Sequence, residues 1–276
     1  MDVLQEQGRK MSYQDADTAP KDYQSPLEAA FAIRDLETPH LVTEALRAGR
    51  AKLAYQPVVL SRDLRTISFH EGLLRLLDDR GQVIQAAKFL PQVIDTDVGR
   101  QIDSLALELT LEMLRQRPDR RLSVNVSARS LGDWRWRSRL NEALTEAGHL
   151  GDRLILEISE SSAMMLHEVV QRFMADVQPY GVCFALDGYG GGSLSFRHMS
   201  EFYFDLVKVD RHFTRGIAES SDNQVVLSAL VSVARQFEMF VVADGVEDSR
   251  DAQFLRGCDI DCLQGYLTGR PLFQLD

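Results

Sequence analysis

A chain of 276 residues with a net charge of −10 is long enough to bury one large core without staples, and α/β barrels reach about 250 residues as one unit. The negative balance argues against a general nucleic-acid-binding domain, which needs a basic face, yet a small anionic ligand held by local Arg, Lys or metal stays open. The three cysteines, Cys183, Cys258 and Cys262, show neither disulfide nor zinc spacing, no apolar run reaches the roughly 18 residues of a membrane span, and the polar N-terminus lacks a signal-peptide core. A reduced, cytoplasmic protein without membrane attachment is expected.

Residues 1 to 25 are polar and carry Pro20; they bury little and predict a loose arm, with one domain from 26 to 276. Ser25 to Gly49 reads as helical, with Leu27, Ala30, Phe31 and Ile33 on one face. Strand-like runs then follow at Leu53–Leu60, Arg65–Phe69, Leu122–Val126, Leu154–Ile158, Val182–Leu186, Leu206–Val209 and Phe240–Ala243. Helix-period stretches separate most of them: Gly99–Arg115, Trp134–Ala147, Ala163–Val177 and Val225–Phe237. Apolar strands alternating with helices indicate a mainly parallel sheet covered by helices, and about seven or eight such units favour a closed (β/α)8 barrel of the TIM type. The short link Ser61 to Leu64 has no room for a crossover helix, so the first two strands are predicted to be antiparallel.

Function in such a barrel gathers where strands end. The residues there are Glu71, Asn125, Glu157, Asp187, Lys208 with Asp210 beyond it, Asp244 and, near the last strand, Gln264. Any one alone reads as a strand-end cap or a rim salt bridge; the set in register predicts a shared site. Converging carboxylates repel one another, and cations relieve this. Hard oxygen donors without His or Cys point to Mg²⁺ or Mn²⁺, and such sites usually serve phosphoester chemistry.

Other motifs carry less. His70-Glu71 and His167-Glu168 begin like zinc-protease helices, but the second His is missing, with Gln171 in its place after His167. Gly188-Tyr189-Gly190-Gly191-Gly192 reads equally as a phosphate loop or a hinge. Trp134 and Trp136 read as a helix face with one ring buried, and Met164-Met165 as core.

Taken together, Tyr55-Gln56-Pro57-Val58-Val59, Glu71-Gly72-Leu73-Leu74-Arg75, Ser123-Val124-Asn125-Val126-Ser127, Leu156-Glu157-Ile158-Ser159-Glu160, Ala185-Leu186-Asp187-Gly188-Tyr189-Gly190, Val207-Lys208-Val209-Asp210, Val242-Ala243-Asp244-Gly245-Val246-Glu247 and Gln264-Gly265-Tyr266-Leu267 resemble, in order, the motifs of the EAL family of cyclic di-GMP phosphodiesterases. The resemblance spans roughly residues 41 to 273. It implies a barrel that opens cyclic di-GMP to linear pGpG with two divalent metals. By the same resemblance Glu71, Asn125, Glu157 and Asp187 would hold the first metal, and Lys208 would contact the attacking water. Arg75 would bind a ligand phosphate. Gln56 and Gln264, with Asp210, would belong to the ligand pocket, and Glu71, Lys208 and Asp244 to the catalytic set. Glu160 and Glu247 would brace loops, and the loop after Asp187 contributes to dimer contacts in the family, so a homodimer is implied.

The chain departs from the pattern at three positions. Gly72 stands for the Ala of the signature and loses only a methyl. Gly188 stands for the second Asp of D-D-F-G, a ligand of the second metal. Asp244 stands for the Glu of V-A-E-G-V-E and is shorter by about 1.5 Å. The first metal set is therefore complete and the second is doubtful. Misplacement by about 1 Å can cost on the order of a hundredfold in rate, so binding is expected to outlast catalysis. Three readings follow: a cyclic di-GMP receptor with weak or absent hydrolysis that signals through a partner, a working phosphodiesterase, or a docking module that has lost the nucleotide.

Overall fold

The computed structural model describes residues 38–147, 149–192 and 196–275. The arm predicted for residues 1–25 and the first part of the helix expected from Ser25 lie outside the described residues; a helix, α1, is described over 38–47.

Eight strands close into a barrel: β1 (Ala51–Leu60), β2 (Ile67–Leu77), β4 (Leu122–Asn125), β5 (Leu154–Ser159), β6 (Cys183–Tyr189), β7 (Leu206–Val209), β8 (Phe240–Ala243) and β9 (Cys262–Gln264). They pair in the order β1-β9-β8-β7-β6-β5-β4-β2, and a β1–β2 pairing closes the ring. A short β3 (Val83–Gln85) adds to β2 outside it. The expected antiparallel first pair is present: β1 opposes both β2 and β9, and the other barrel pairings are parallel.

Helices cover the strands, chiefly α3 (Asp97–Gln116), α5 (Trp134–Glu146), α7 (His167–Val177) and α10 (Ser221–Gln236). Trp136 is 1% exposed and packs edge-on against Phe173, whereas Trp134 is 71% exposed, so one ring of the pair is buried, as its helical spacing requires. Among the described residues no helix is long and apolar enough to cross a membrane.

Four sequence expectations need correction. The second strand was expected to stop at Phe69 but runs to Leu77, because β1 and β2 stay paired well past the barrel rim; Glu71 therefore sits within a strand rather than at its exit. The strand expected to end at Leu186 continues to Tyr189, so Gly188 is a strand residue. The helix expected over Ala163–Val177 is two, α6 (Glu160–Met165) and α7, broken at Leu166, whose φ of −129° and ψ of 48° leave the helical region. Met165 is exposed rather than core, since it falls in that short first piece.

Two apolar layers result. The larger lies between strands and helices. A smaller cluster joins Val58, Phe69, Ile155, Ala185, Leu206, Val242 and Cys262. Successive strand side chains alternate between faces, so residues two apart share one. Two residues beyond the members of this cluster on parallel strands stand Glu71, Glu157, Asp187, Lys208, Asp244 and Gln264, and on the reversed β1 the matching residue, Gln56, stands two before Val58. The polar ring is thus the layer directly above the apolar plug.

Behind β4 a buried carboxylate ties two helices together. Asp103 of α3 accepts from the Ser127 backbone N–H at 3.0 Å and from the hydroxyls of Ser127 and Ser130 at 2.6 Å each. Burial nevertheless raises its pKa. Ser127 also caps the short helix α4 (Ala128–Leu131). Ser127→Ala should cost about 1–2 kcal/mol, the loss of a cap plus a hydrogen bond to a buried carboxylate, read as a lower urea midpoint with an unchanged m value.

Candidate functional site

The centre of the polar ring is Lys208, which is 2% exposed. Its Nζ donates to Glu71 Oε2 at 2.8 Å and to Glu157 Oε2 at 2.7 Å. Glu71 also accepts from Asn125 Nδ2 at 2.7 Å and from Gln264 Nε2 at 2.6 Å. Gln264 reaches Gln56 Oε1 at 3.3 Å, and Gln56 donates to the Gly269 carbonyl at 3.1 Å. Strand register makes this possible: Gln56 lies opposite Glu71, Asn125 beside Glu157, and Ser159 beside Asp187.

Electrostatics follow from burial and proximity. Burial alone would push the Lys208 ammonium down, but the charges of Glu157 and Glu71 hold it well above its ordinary value. Burial would raise Glu71, yet Lys208 and the donors Gln264 and Asn125 bring it below the usual range. Glu157 is pushed up to about 8, first by burial and then by the charge of Glu71. Burial also raises Asp187, with Lys208 opposing and Glu71 and Asp244 adding to the shift.

Glu157 Oε1 and Gln264 Oε1 are buried and accept no hydrogen bond among the described residues. Orphaned buried oxygens beside further carboxylates fit a hard divalent cation, which would satisfy them. The donors are all oxygens, as Mg²⁺ or Mn²⁺ requires.

Beside the ring opens a cleft of about 310 Å³ lined by Gln56, Arg75, Arg211, Asp244, Glu247 and Tyr266, among others. Burial lowers the pKa of Arg75, whose Nη1 donates to the Leu74 carbonyl at 2.9 Å. Arg211, which the sequence reading passed over, pairs with Asp244 at 3.1 Å; its position directly after the strand-exit Asp210 is the signal that could have marked it. The cleft also takes in Gln85, Ala86 and Ala87 around β3, a segment too short to show periodicity.

The remaining expected residues lie close by. Glu160 Oε1 accepts from the Gly190 N–H at 2.8 Å. Glu247 pairs with Arg215 at the cleft edge. Asp210 spends Oδ1 on the His212 N–H at 2.8 Å, capping the short helix α9 (Arg211–Thr214). Its Oδ2 would lie 4.0 Å from a Cβ placed on Gly188. Gly188 has a φ of 72° where the register between β6 and β7 shifts, a bulge conformation that suits glycine. At Gly72 a methyl would meet the Ser123 carbonyl at 3.3 Å and Leu53 at 3.4 Å; the lost methyl of the signature matches a close strand approach in this chain.

Fold and site together define an eight-stranded α/β barrel with one reversed strand and a carboxylate-rich mouth. The chain belongs to the EAL domain family, whose model matches residues 41–271. It is 28% identical over 232 residues to the cyclic di-GMP phosphodiesterase PdeF of Escherichia coli, covering 83% of this chain and 31% of that protein. It is 29% identical over 248 residues to MucR, a bifunctional diguanylate cyclase/cyclic di-GMP phosphodiesterase of Pseudomonas aeruginosa, covering 88% and 36%. The chain thus spans about a third of the length of these curated relatives. Among solved structures, the PaMucR phosphodiesterase in its c-di-GMP complex superposes with a TM-score of 0.78 at 28% identity, covering 86% of this chain and 97% of that one. The Xanthomonas citri FimX EAL domain in complex with c-di-GMP gives 0.77 at 25%, covering 90% and 98%.

Proposed function

We propose that this EAL domain binds cyclic di-GMP in the cleft beside the carboxylate ring and hydrolyses it to linear pGpG weakly or not at all. What carries this reading is the contrast within one rim: the set around Lys208 is complete, whereas Gly188 supplies no side chain and Asp244 is engaged by Arg211. The relatives with bound c-di-GMP support the choice of ligand.

Glu71, Asn125, Glu157 and Asp187 would hold one divalent ion, Mg²⁺ or Mn²⁺, which supplies an acidified water and neutralises phosphate charge. Arg75 offers its guanidinium to a ligand phosphate. Lys208 keeps its proton through the neutral range and fixes the two glutamates against each other. Hydrolysis would add one water across a single P–O ester bond, with the oxygen staying on phosphorus and a proton passing to the departing ribose oxygen. A missing carboxylate and a diverted one leave that step poorly supported. Output through a protein partner and a homodimer are part of the same proposal.

A working phosphodiesterase is the second reading, favoured by the nearness of Asp210 Oδ2 to position 188, where it would replace some of the lost negative charge.

Calorimetry with cyclic di-GMP in Mg²⁺, joined to turnover assays in Mg²⁺ and Mn²⁺, separates these readings. Heat without turnover supports the proposal, heat with sustained turnover the alternative, and no heat at high micromolar ligand removes both. Arg75→Ala should weaken binding by about 10–100-fold, the usual loss for a charged hydrogen bond; an unchanged Kd would take the phosphate away from Arg75.

A further inference from the structure

Outside the cleft, three metal-binding side chains from separate segments come together. His167 opens α7, His198 lies in the short helix α8 (Phe196–Met199), and Glu201 follows it. His167 Nε2 stands 2.8 Å and His198 Nδ1 3.4 Å from Glu201 Oε2. The three ligand atoms lie within 4.8 Å of one another. All three side chains are partly buried, and His167 packs edge-on against Phe202 at 4.7 Å between ring centroids.

The linear motif His167-Glu168 lacks its second His because Gln171 stands there; the fold supplies an imidazole from another helix instead. His167 Nε2 and His198 Nδ1 both approach the one oxygen Glu201 Oε2, and this buried His167 nitrogen has no other polar partner among the described residues. Ligand atoms around a four-coordinate zinc stand about 3.3 Å apart, given bonds of about 2.0–2.2 Å, a spacing that the two measured separations bracket. Two imidazoles and one carboxylate select zinc-class ions over Mg²⁺.

We propose that His167, His198 and Glu201 form a site for a zinc-class divalent ion, with water in the fourth position. The ion joins α7 to the stretch of chain between β6 and β7, which begins three residues after Asp187. The site stands apart from the carboxylate ring and does not depend on the nucleotide reading.

The test uses the full chain in excess Mg²⁺, which keeps oxygen sites filled, with Zn²⁺ titrated against a chromophoric chelator. One zinc per chain is expected, with a rise in Tm. His167→Ala and His198→Ala should each lower zinc affinity by more than about 100-fold, beyond what losing a mere supporting hydrogen bond to a ligand costs, and abolish the rise in Tm. Circular dichroism shows whether each variant is folded. His198→Cys keeps a ligand in place, so it should retain binding and, with Co²⁺, add a near-ultraviolet thiolate charge-transfer band beside the visible d–d bands of four-coordinate cobalt. The proposal is overturned if zinc binding survives His198→Ala unchanged, if it disappears in Glu157→Gln while surviving in His198→Ala, or if the His198→Cys protein shows no thiolate band.

Discussion

Lys208→Met is expected to lower the stability of the metal-free protein by about 3–5 kcal/mol above pH 8 and by clearly less near pH 5. Methionine nearly preserves the volume but removes the ammonium that bridges Glu71 and Glu157. Two buried carboxylates then face each other without compensation. Near pH 5 taking up protons relieves them at little cost; above pH 8 holding those protons is itself unfavourable against an ionised unfolded chain. The natural chain already shows the sign. The folded pKa of Glu157 is about 8 against an ordinary 4.5, so the folded state holds this proton more tightly than the unfolded state. Its contribution to stability is therefore full below the unfolded value and is lost as pH rises through about 8, with a slope of at most about 1.4 kcal/mol per pH unit. Removing Lys208 adds Glu71 to the same behaviour. Urea denaturation with a chelator present, at acid and alkaline pH, measures both proteins. A penalty independent of pH would show that Lys208 matters through packing and not charge.

The second large effect concerns turnover. Gly188→Asp combined with Asp244→Glu should raise cyclic di-GMP hydrolysis by on the order of a hundredfold, because both changes restore charge and reach on one side of the rim. The glutamate regains about 1.5 Å of length and reaches past the Arg211 contact seen with Asp244. The aspartate enters at a φ of 72°, with open space around its Cβ out to Asp210 Oδ2 at 4.0 Å. Left-handed backbone costs roughly 1–2 kcal/mol for a residue with a Cβ, and Asp tolerates it better than most. A modest fall in Tm should accompany the gain in rate. A double variant that folds, binds the nucleotide and gains no activity would mean that Gly188 and Asp244 are not what limits turnover.

Much of this molecule is legible in its sequence. Barrel strands such as Leu206–Val209 and Phe240–Ala243 announce themselves as short apolar runs between helical periods, and their observed bounds match. The reversed first strand follows from the length of the Ser61–Leu64 link. The ring around Lys208 was visible as oxygen-bearing residues at the ends of those runs, since a period of two fixes which face each residue takes. What stayed hidden depends on partners remote in sequence. The extension of β2 past Glu71 needs β1 beside it. The diversion of Asp244 needs Arg211 from the preceding segment of the rim, after β7, and the left-handed turn at Gly188 needs the bulge between β6 and β7. His198 reaches His167 only because β6 carries the chain back up beside α7.

The most direct measurement mixes the chain in molar excess with cyclic di-GMP and Mg²⁺, removes unbound nucleotide by rapid filtration, then denatures the protein and separates what it held. Intact cyclic nucleotide, retained by the natural chain and released by Arg75→Ala, is the expected result. Complete conversion to pGpG within the first minutes, or nucleotide passing through the filter as though no protein were present, contradicts it.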